Sequence, residues 1–192
     1  MIGVSAPYLD PSADELLERL PAPRKALFLD RDGVINVNHG YVHTAERTDW
    51  VPGIFDLVAR AYASGFAVVV VTNQAGIARG YYGEEEFGRY TAWVHEHFSR
   101  HGMTLLATYH CPHHPAPGMG QQGVICGCRK PAPGMLLQAA RDFDISLGDS
   151  LLIGDQRSDI EAANRAGVPH TFLLSESELS GASDWLASLS GN

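Results

Sequence analysis

Short apolar runs alternate with amphipathic segments along most of the chain. The runs are continuous and end at polar residues or glycine, which is typical of strands buried in a parallel sheet. These strands are predicted at 26–29, 66–71, 105–109, 151–153 and 170–174. Apolar residues at helical spacing predict helices at about 54–64 and 84–100, from about 133, from about 158 to 167, and at 184–189. This alternation predicts an α/β fold, a single doubly wound, Rossmann-like parallel sheet with helices on both faces and right-handed crossovers.

The sequence predicts one domain at 26–192, preceded by an N-terminal extension at 1–25. Within the extension, Ser12 to Glu15 has the pattern of a capping box, and the short helix that it begins is expected to stop before Pro21. The chain contains no internal repeat and no linker long enough to separate two domains.

Composition and charge limit the classes of partner. The chain has 192 residues, is 45% hydrophobic and 19% charged, and carries 14 basic against 22 acidic residues, a net charge of −8. This charge argues against nucleic acid and anionic membranes as partners, so an anionic substrate needs a local cationic pocket. The sequence lacks an apolar run of membrane-spanning length and the N-terminal pattern of a signal peptide. We therefore expect a cytoplasmic protein, and we expect it to be a monomer.

Polar side chains follow two of the predicted strands and indicate a site at their carboxyl ends. Asp30 and Asp32 come directly after the first strand, with Gly33 next to them. Two such carboxylates repel each other unless a cation or a shared proton lies between them, and a hard dication is the natural partner. An acidic surface loop is the alternative. The second strand ends in the polar segment 72–76, where Thr72 could either bind an oxyanion or simply cap a helix.

All three cysteines lie between 111 and 128, in the segments Cys-Pro-His-His (111–114) and Cys-Gly-Cys (126–128). Cysteine and histidine pairs across a loop suit a structural zinc ion, which would hold together a loop too rich in glycine and proline to fold alone. The favoured ligands are Cys111, His113, Cys126 and Cys128. His114 competes for the histidine position, and a chance cluster or a redox pair of Cys126 and Cys128 are the alternatives.

Two further features lie beside predicted helix starts. Arg129 and Lys130 precede the helix that begins near Pro133, so they form a candidate anion site, although such a pair is usually solvated. Asp155 follows the fourth strand, and Asp159 lies four residues further on. Asp159 also has a structural explanation, because Ser158-x-x-Glu161 is a capping box.

Together these strand ends resemble the four motifs of the haloacid dehalogenase (HAD) superfamily of phosphatases. Within it the chain is similar to the heptose 1,7-bisphosphate 7-phosphatases and the related histidinol-phosphate phosphatases. The resemblance covers roughly residues 26–174 and is carried by the segments 29–33, 36–42, 72–80, 111–115 and 126–134, with Asp155 and Asp159 as the fourth motif.

The resemblance implies a magnesium-dependent phosphomonoester hydrolase that works through an aspartyl-phosphate. Asp30 is then the nucleophile and Asp32 the general acid and base, while Thr72 and Lys130 bind the phosphoryl oxygens. Magnesium would be held by Asp30, Asp155 and the backbone carbonyl of Asp32.

The resemblance also implies a small phosphorylated sugar as substrate, most of all the 7-phosphate of D-glycero-D-manno-heptose 1,7-bisphosphate, with histidinol phosphate or another small ester as the alternative. The implied substrate-binding residues are Asn38, His39, Gly40, Tyr41, Asn73, Gln74, Ala75 and Arg129. The loop 110–130 would serve as a minimal cap, with zinc at Cys111, His113, Cys126 and Cys128.

The chain departs from the heptose enzymes at two positions. It has Gln156 where they usually carry lysine and Asn38 where they often carry aspartate, and Arg157 could supply the missing positive charge. Both departures bear on the choice of substrate and anomer. Two rivals of another class are a zinc-bearing binding module and a phospho-accepting regulatory domain that does not turn over.

Overall fold

A six-stranded sheet forms the centre of the computed structural model, which describes residues 4–115, 123–174 and 179–190. The order of its strands is β1-β4-β3-β2-β5-β6, and every neighbouring pair is parallel except β1 with β4. The strands are β1 (Tyr8–Leu9), β2 (Ala26–Leu29), β3 (Ala67–Asn73), β4 (Leu105–Cys111), β5 (Leu151–Gly154) and β6 (His170–Leu173). The five predicted strands are all present, and β1 is an addition.

Helices cover both faces of the sheet, as predicted. They are α1 (Ala13–Arg19), α2 (Ile54–Ala63), α3 (Ala75–Ala78), α4 (Glu84–Arg100), α5 (Gly134–Phe143), α6 (Arg157–Ala166) and α7 (Ser180–Ser190). Leu27 and Leu29 of β2 pack with α2, α4 and α7, whereas Phe28 packs on the opposite face with α1, α5 and α6. This alternation follows from the two-residue period of a strand. Among the described residues, no helix is long and apolar enough to cross a membrane.

The strand order places a topological switch point beside β2. From β2 the chain passes to β3 and β4 on one side, and later to β5 and β6 on the other. Leu29 is in register with Val70 of β3 and with Ile153 of β5, so the carboxyl ends of these strands lie close together. Open α/β sheets bind ligands in the crevice outside such a point.

The N-terminal segment packs against the sheet. Its strand β1 pairs with β4, and Ala13 and Leu16 of α1 are buried in the core. Asp10 accepts a hydrogen bond from His95 at 2.9 Å between Oδ2 and Nδ1, and His95 Nε2 lies 2.8 Å from Thr108 Oγ1. All three side chains are buried. A buried polar network thus joins this segment to α4 and β4, which the sequence pattern did not indicate.

Replacing Asp10 should destabilise the fold. Asp10→Ala leaves His95 buried without its carboxylate partner, and an unsatisfied buried polar group costs about 1–3 kcal/mol. We expect the free energy of unfolding in urea to fall by about that amount. The matched control is Glu18→Ala on the exposed face of α1, which should change it by less than about 0.5 kcal/mol. Equal effects of the two substitutions would contradict the assignment.

Candidate active site

One cavity of about 500 Å³ lies at the carboxyl ends of β2, β3 and β5. We call it the active-site cavity. Its lining includes nearly all of the predicted site residues outside the cysteine segments, namely Asp30, Asp32, Asn38, Gly40, Tyr41, Thr72, Asn73, Gln74, Ala75, Arg129, Lys130 and Asp155. It is completed by Asp159 of the fourth motif and by Tyr82, Gln156 and Ser158, to which the sequence assigned no role in binding or catalysis.

Lys130 is the buried cation of the active-site cavity. Its Nζ lies 2.9 Å from Asp30 Oδ1 and 2.6 Å from Asp159 Oδ1, and it donates to the carbonyl of Val71 at 2.8 Å. Burial opposes the charge of the ammonium group, but the attraction of the two carboxylates outweighs burial and raises the pKa of Lys130. The side chain is therefore a fixed cation that joins β2, β3 and α6.

The carboxylates around Lys130 carry more negative charge than it can balance. Burial, together with repulsion from Asp159 and Asp32, raises the pKa of Asp30 to about 7, although Lys130 opposes the shift. Burial likewise raises the pKa of Asp155. A second cation placed among these groups would relieve both effects, since a nearby positive charge favours the ionised carboxylate.

Three of these carboxylates could hold such a cation. Asp30, Asp155 and Asp159 each offer an oxygen, and these oxygens lie within 4.8 Å of one another. Asp159 is already bound to Lys130 and accepts from the backbone N–H of Gln156 at 2.9 Å. Asp155 Oδ1, by contrast, is buried and has no hydrogen-bond partner among the residues that the structure describes. Asp30 and Asp155 therefore fit magnesium, which prefers carboxylate oxygens.

Gly33 allows the two strand ends to approach. Its φ of +98° lies in the left-handed region, and a Cβ there would come within 2.3 Å of Asp155 Oδ2. Only glycine suits both the conformation and the contact. Gln156 Nε2 donates to the same Oδ2 at 3.0 Å. The glutamine that stands where the heptose enzymes usually carry lysine thus still contacts Asp155.

The side chain of Asp32 does not belong to the cluster of Asp30, Asp155 and Asp159 and forms an ion pair with Arg31. The Nη2 of Arg31 lies 2.8 Å from Asp32 Oδ2, and Asn36 Nδ2 donates to Oδ1 at 3.1 Å. Arg31 is only 2% exposed, donates to the carbonyl of Val42 at 2.6 Å and lies over the ring of Tyr90. The side chain of Asp32 is thus held at the cavity wall by donors on both oxygens.

Gln74 connects Asp32 to Thr72. Its Nε2 donates to Asp32 Oδ2 at 3.1 Å and to Thr72 Oγ1 at 2.8 Å, and its Oε1 accepts from the phenol of Tyr82 at 2.5 Å. Gln74 is 1% exposed, so its amide is occupied by protein partners. Burial raises the pKa of Tyr82 to about 12, which keeps the phenol a hydrogen-bond donor at neutral pH.

His39 is the one predicted substrate-binding residue that does not line the active-site cavity. Its Nε2 lies 2.7 Å from Asp49 Oδ2 at the surface. The neighbouring Tyr41 does line the cavity and packs edge-on against Tyr81, with ring centroids 4.6 Å apart. The loop after β2 thus contributes to the cavity through Asn38, Gly40 and Tyr41.

The cysteine segments converge on a second group of ligand atoms. Cys128 Sγ lies 3.1 Å from the sulfurs of Cys111 and Cys126 and 3.4 Å from His113 Nδ1. A disulfide would need about 2.05 Å, and tetrahedral zinc about 2.3 Å from each sulfur spaces its ligands by somewhat less than 4 Å. The four donors lie within 4.8 Å of one another, so the cluster matches the ligand set of a closed zinc site.

The structure selects between the two histidines of this segment. His113 is buried in the cysteine cluster, whereas His114 Nε2 lies 3.5 Å from Arg79 Nη2 outside it. Residues 116–122 of the predicted zinc loop lie outside the described residues.

The cysteine cluster is coupled to the cavity through its backbone. The carbonyl of His113 accepts from Arg129 Nη1 at 3.0 Å. The backbone N–H of the next residue, Lys130, donates to Asn73 Oδ1 at 3.0 Å, and Asn73 Nδ2 donates to the backbone carbonyl of Lys130 at 3.1 Å. The cluster and the end of β3 therefore fix the segment that carries both cations.

Comparison with known proteins identifies the family. Residues 127–183 match the HAD-hydrolase-like family. The chain is 49% identical over 156 residues to D-glycero-alpha-D-manno-heptose-1,7-bisphosphate 7-phosphatase of Burkholderia mallei, covering 81% of this chain and 82% of that protein. It is 47% identical over 152 residues to D-glycero-beta-D-manno-heptose-1,7-bisphosphate 7-phosphatase of Vibrio cholerae, covering 79% of this chain and 81% of that protein. The chain belongs to this family of HAD-like phosphatases.

A solved structure agrees with this assignment. The D,D-heptose 1,7-bisphosphate phosphatase of B. bronchiseptica, crystallised with magnesium and phosphate, superposes with a TM-score of 0.73 at 29% identity. The match covers 85% of this chain and 98% of that one. The resemblance read from the motifs and the predicted fold class are thereby confirmed.

Sequence reasoning missed two side chains of the phosphatase that matter to its geometry. Neither Arg31 nor Tyr82 was assigned a role from the sequence. Arg31 could have been singled out, because an arginine beside a buried strand needs partners for its charge. The position of Tyr82 depends on contacts that no local pattern encodes.

Magnesium should stabilise the phosphatase more strongly at high pH. The pKa of Asp30 is raised above its unfolded value, so the ionised form disfavours folding and the penalty appears as the pH rises through about 7. A magnesium ion bound by Asp30 and Asp155 would remove this penalty, but at lower pH it would compete with protons for the two carboxylates. We expect the magnesium-induced increase in melting temperature, measured by calorimetry, to be larger at about pH 8.5 than at about pH 5.5. An equal or reversed shift would contradict the carboxylate site.

Proposed function

We propose that this phosphatase removes the 7-phosphate of D-glycero-D-manno-heptose 1,7-bisphosphate, with magnesium as its cofactor and Asp30 as the nucleophile. The observation that carries the proposal is the position of Asp30, at a strand end and in contact with Lys130, beside Asp155 and its unpartnered oxygen. The substrate is proposed from the relatives, which are heptose 1,7-bisphosphate 7-phosphatases. They include enzymes named for the alpha and for the beta anomer at similar identity.

The chemistry follows from the side chains of the cavity. A carboxylate oxygen of Asp30 attacks phosphorus, the bond from phosphorus to the sugar oxygen breaks, and Asp32 gives a proton to that leaving oxygen. In the second step Asp32 takes a proton from the attacking water, which releases inorganic phosphate and restores Asp30.

Lys130 and Thr72 would bind the phosphoryl oxygens during both steps. Lys130 also holds one oxygen of Asp30 at 2.9 Å, which fixes the orientation of the nucleophile. Magnesium held by Asp30, Asp155 and the Asp32 carbonyl would supply charge stabilisation at the phosphoryl group.

The distal part of the substrate would lie against the remaining lining. Asn38, Gly40, Tyr41 and Arg129 also line the cavity, and Arg129 would provide a cation for a second phosphate. We further propose that zinc binds the cysteine cluster and keeps Arg129 in place through the carbonyl of His113, and that the enzyme acts as a cytoplasmic monomer without nucleic acid or membrane partners.

A substrate panel tests the proposed function. Phosphate release should require magnesium and should show the highest kcat/KM for one anomer of heptose 1,7-bisphosphate, ahead of histidinol phosphate and simple sugar phosphates. Asp30→Asn, which removes the nucleophile, should abolish turnover while the circular dichroism spectrum shows that the fold is kept. A better efficiency with histidinol phosphate would reject the heptose assignment, and turnover by Asp30→Asn would reject the aspartyl-phosphate.

Removal of the metal ligands tests the zinc site. The purified enzyme should contain about one equivalent of zinc. The double variant Cys126→Ser/Cys128→Ser should lose it, melt at a lower temperature and show a lower kcat/KM, because binding of a structural metal contributes to folding and Arg129 loses its anchor. The matched control is His114→Ala, which should keep the zinc. Loss of zinc in the control, or a zinc-free variant of undiminished stability, would contradict the assignment.

A further inference from the structure

Tyr82 is connected to Asp32 and Thr72 through Gln74. It is 4% exposed, lines the active-site cavity and places its phenol oxygen 2.5 Å from Gln74 Oε1. Neither the family motifs nor the proposed mechanism gives it a task. Its position matters because Gln74 in turn contacts both Asp32 and Thr72.

The orientation of the Gln74 amide follows from its partners. Arg31 can only donate, and its Nη2 lies 3.3 Å from one end of the amide, so that end is the oxygen Oε1. The other end, Nε2, must then donate to Asp32 Oδ2 and Thr72 Oγ1. The distance from Arg31 Nη2 to Gln74 Oε1 is long, and the same Nη2 also donates to Asp32 Oδ2. The short hydrogen bond from the Tyr82 phenol is therefore the main restraint on Gln74 Oε1.

This orientation decides what the Thr72 hydroxyl can do. Because Thr72 Oγ1 accepts a hydrogen from Gln74 Nε2, its own hydrogen is left to donate to an acceptor in the cavity. A phosphoryl oxygen is such an acceptor. The same Nε2 holds Asp32 Oδ2, so one amide positions both the group that binds the phosphoryl oxygen and the group that protonates the leaving oxygen.

The absence of a side chain at Gly76 leaves room for the ring of Tyr82. A Cβ at Gly76 would come within 2.3 Å of the Cε1 and 2.6 Å of the phenol oxygen of Tyr82. Gly76 lies in α3, where alanine is intrinsically favoured by about 1 kcal/mol. The close contact with Tyr82 is therefore the reason that the structure offers for a glycine at this position.

We propose that Tyr82 is a positioning residue of this phosphatase, which orients Gln74 so that Thr72 donates to the phosphoryl group and Asp32 faces the leaving oxygen. The inference rests on the proposed function for the roles of Thr72 and Asp32. It adds Tyr82 and Gly76 to the residues on which the rate depends, although neither touches the reacting atoms.

Two substitutions test the proposal from different directions. Tyr82→Phe removes only the phenol oxygen, and Gly76→Ala displaces the phenol while leaving it present. Each should lower kcat for heptose bisphosphate by about 5- to 10-fold, the effect of one lost hydrogen bond, with KM changed by less than about 2-fold. The double variant should be little worse than either single one, because both act through the same contact. The matched control is Tyr81→Phe, which removes the phenol of a neighbour that is 56% exposed and should leave kcat unchanged.

The choice of ester separates positioning from loss of structure. Nitrophenyl phosphate has a good leaving group that needs little protonation, so misplacement of Asp32 should matter less there than with a sugar phosphate. We expect Tyr82→Phe to lose about 2- to 3-fold on nitrophenyl phosphate, less than on the sugar phosphate.

Three results would overturn the proposal. The first is an unchanged kcat in Tyr82→Phe while the unmodified enzyme turns over heptose bisphosphate, which would reject this inference and leave the proposed function intact. The second is an equal loss on both esters accompanied by a lower melting temperature, which would make the role structural. The third is an absence of turnover by the unmodified enzyme, which would reject the proposed function and the inference with it.

Discussion

The three contacts of the Lys130 ammonium group are the interaction on which the rest of the site depends. Burying an ammonium group costs several kcal/mol unless it is paired, and here Asp30, Asp159 and the carbonyl of Val71 pair it. Each partner comes from a different element, so one cation holds the ends of β2, β3 and α6 together. Without it Asp30 and Asp159 would each lose the cation that they contact at 2.9 and 2.6 Å.

The position of Lys130 is itself fixed by backbone contacts on both sides. Asn73 holds its peptide groups, and two residues earlier Cys128 belongs to the cysteine cluster. The segment around Lys130 is rich in glycine and proline and has few apolar side chains to bury, so these polar contacts hold it in place. The geometry of this buried cation therefore depends on a cluster that lies outside the active-site cavity, and a metal bound there would act on the cavity through the backbone.

The sequence was sufficient for the sheet and for most of the cavity, because both leave local signatures. Apolar runs that end abruptly in Asp30, Thr72 and Asp155 mark strand ends, and the parallel arrangement brings such ends together. The pairing of β1 with β4 left no comparable signature, since two residues are too few for a periodic pattern. The sequence favoured His113 with His114 as the competitor, and the structure places His113 in the cysteine cluster, a choice that ligand spacing alone does not decide.

The side chains that sequence reasoning overlooked, Arg31 and Tyr82, are buried polar groups that both contact the Gln74 amide. Arg31 and Gln74 are 43 residues apart in the chain, yet they meet in a network that fixes which atoms donate and which accept. When one member of such a network can only donate, the donor and acceptor of each following hydrogen bond are fixed. Arg31 donates to Gln74 Oε1, Gln74 Nε2 then donates to Thr72 Oγ1, and the Thr72 hydroxyl is left to donate into the cavity. A chain with a net charge of −8 can thus present fixed donors to a phosphate, because it is the local orientation of a few buried groups that determines what the cavity attracts.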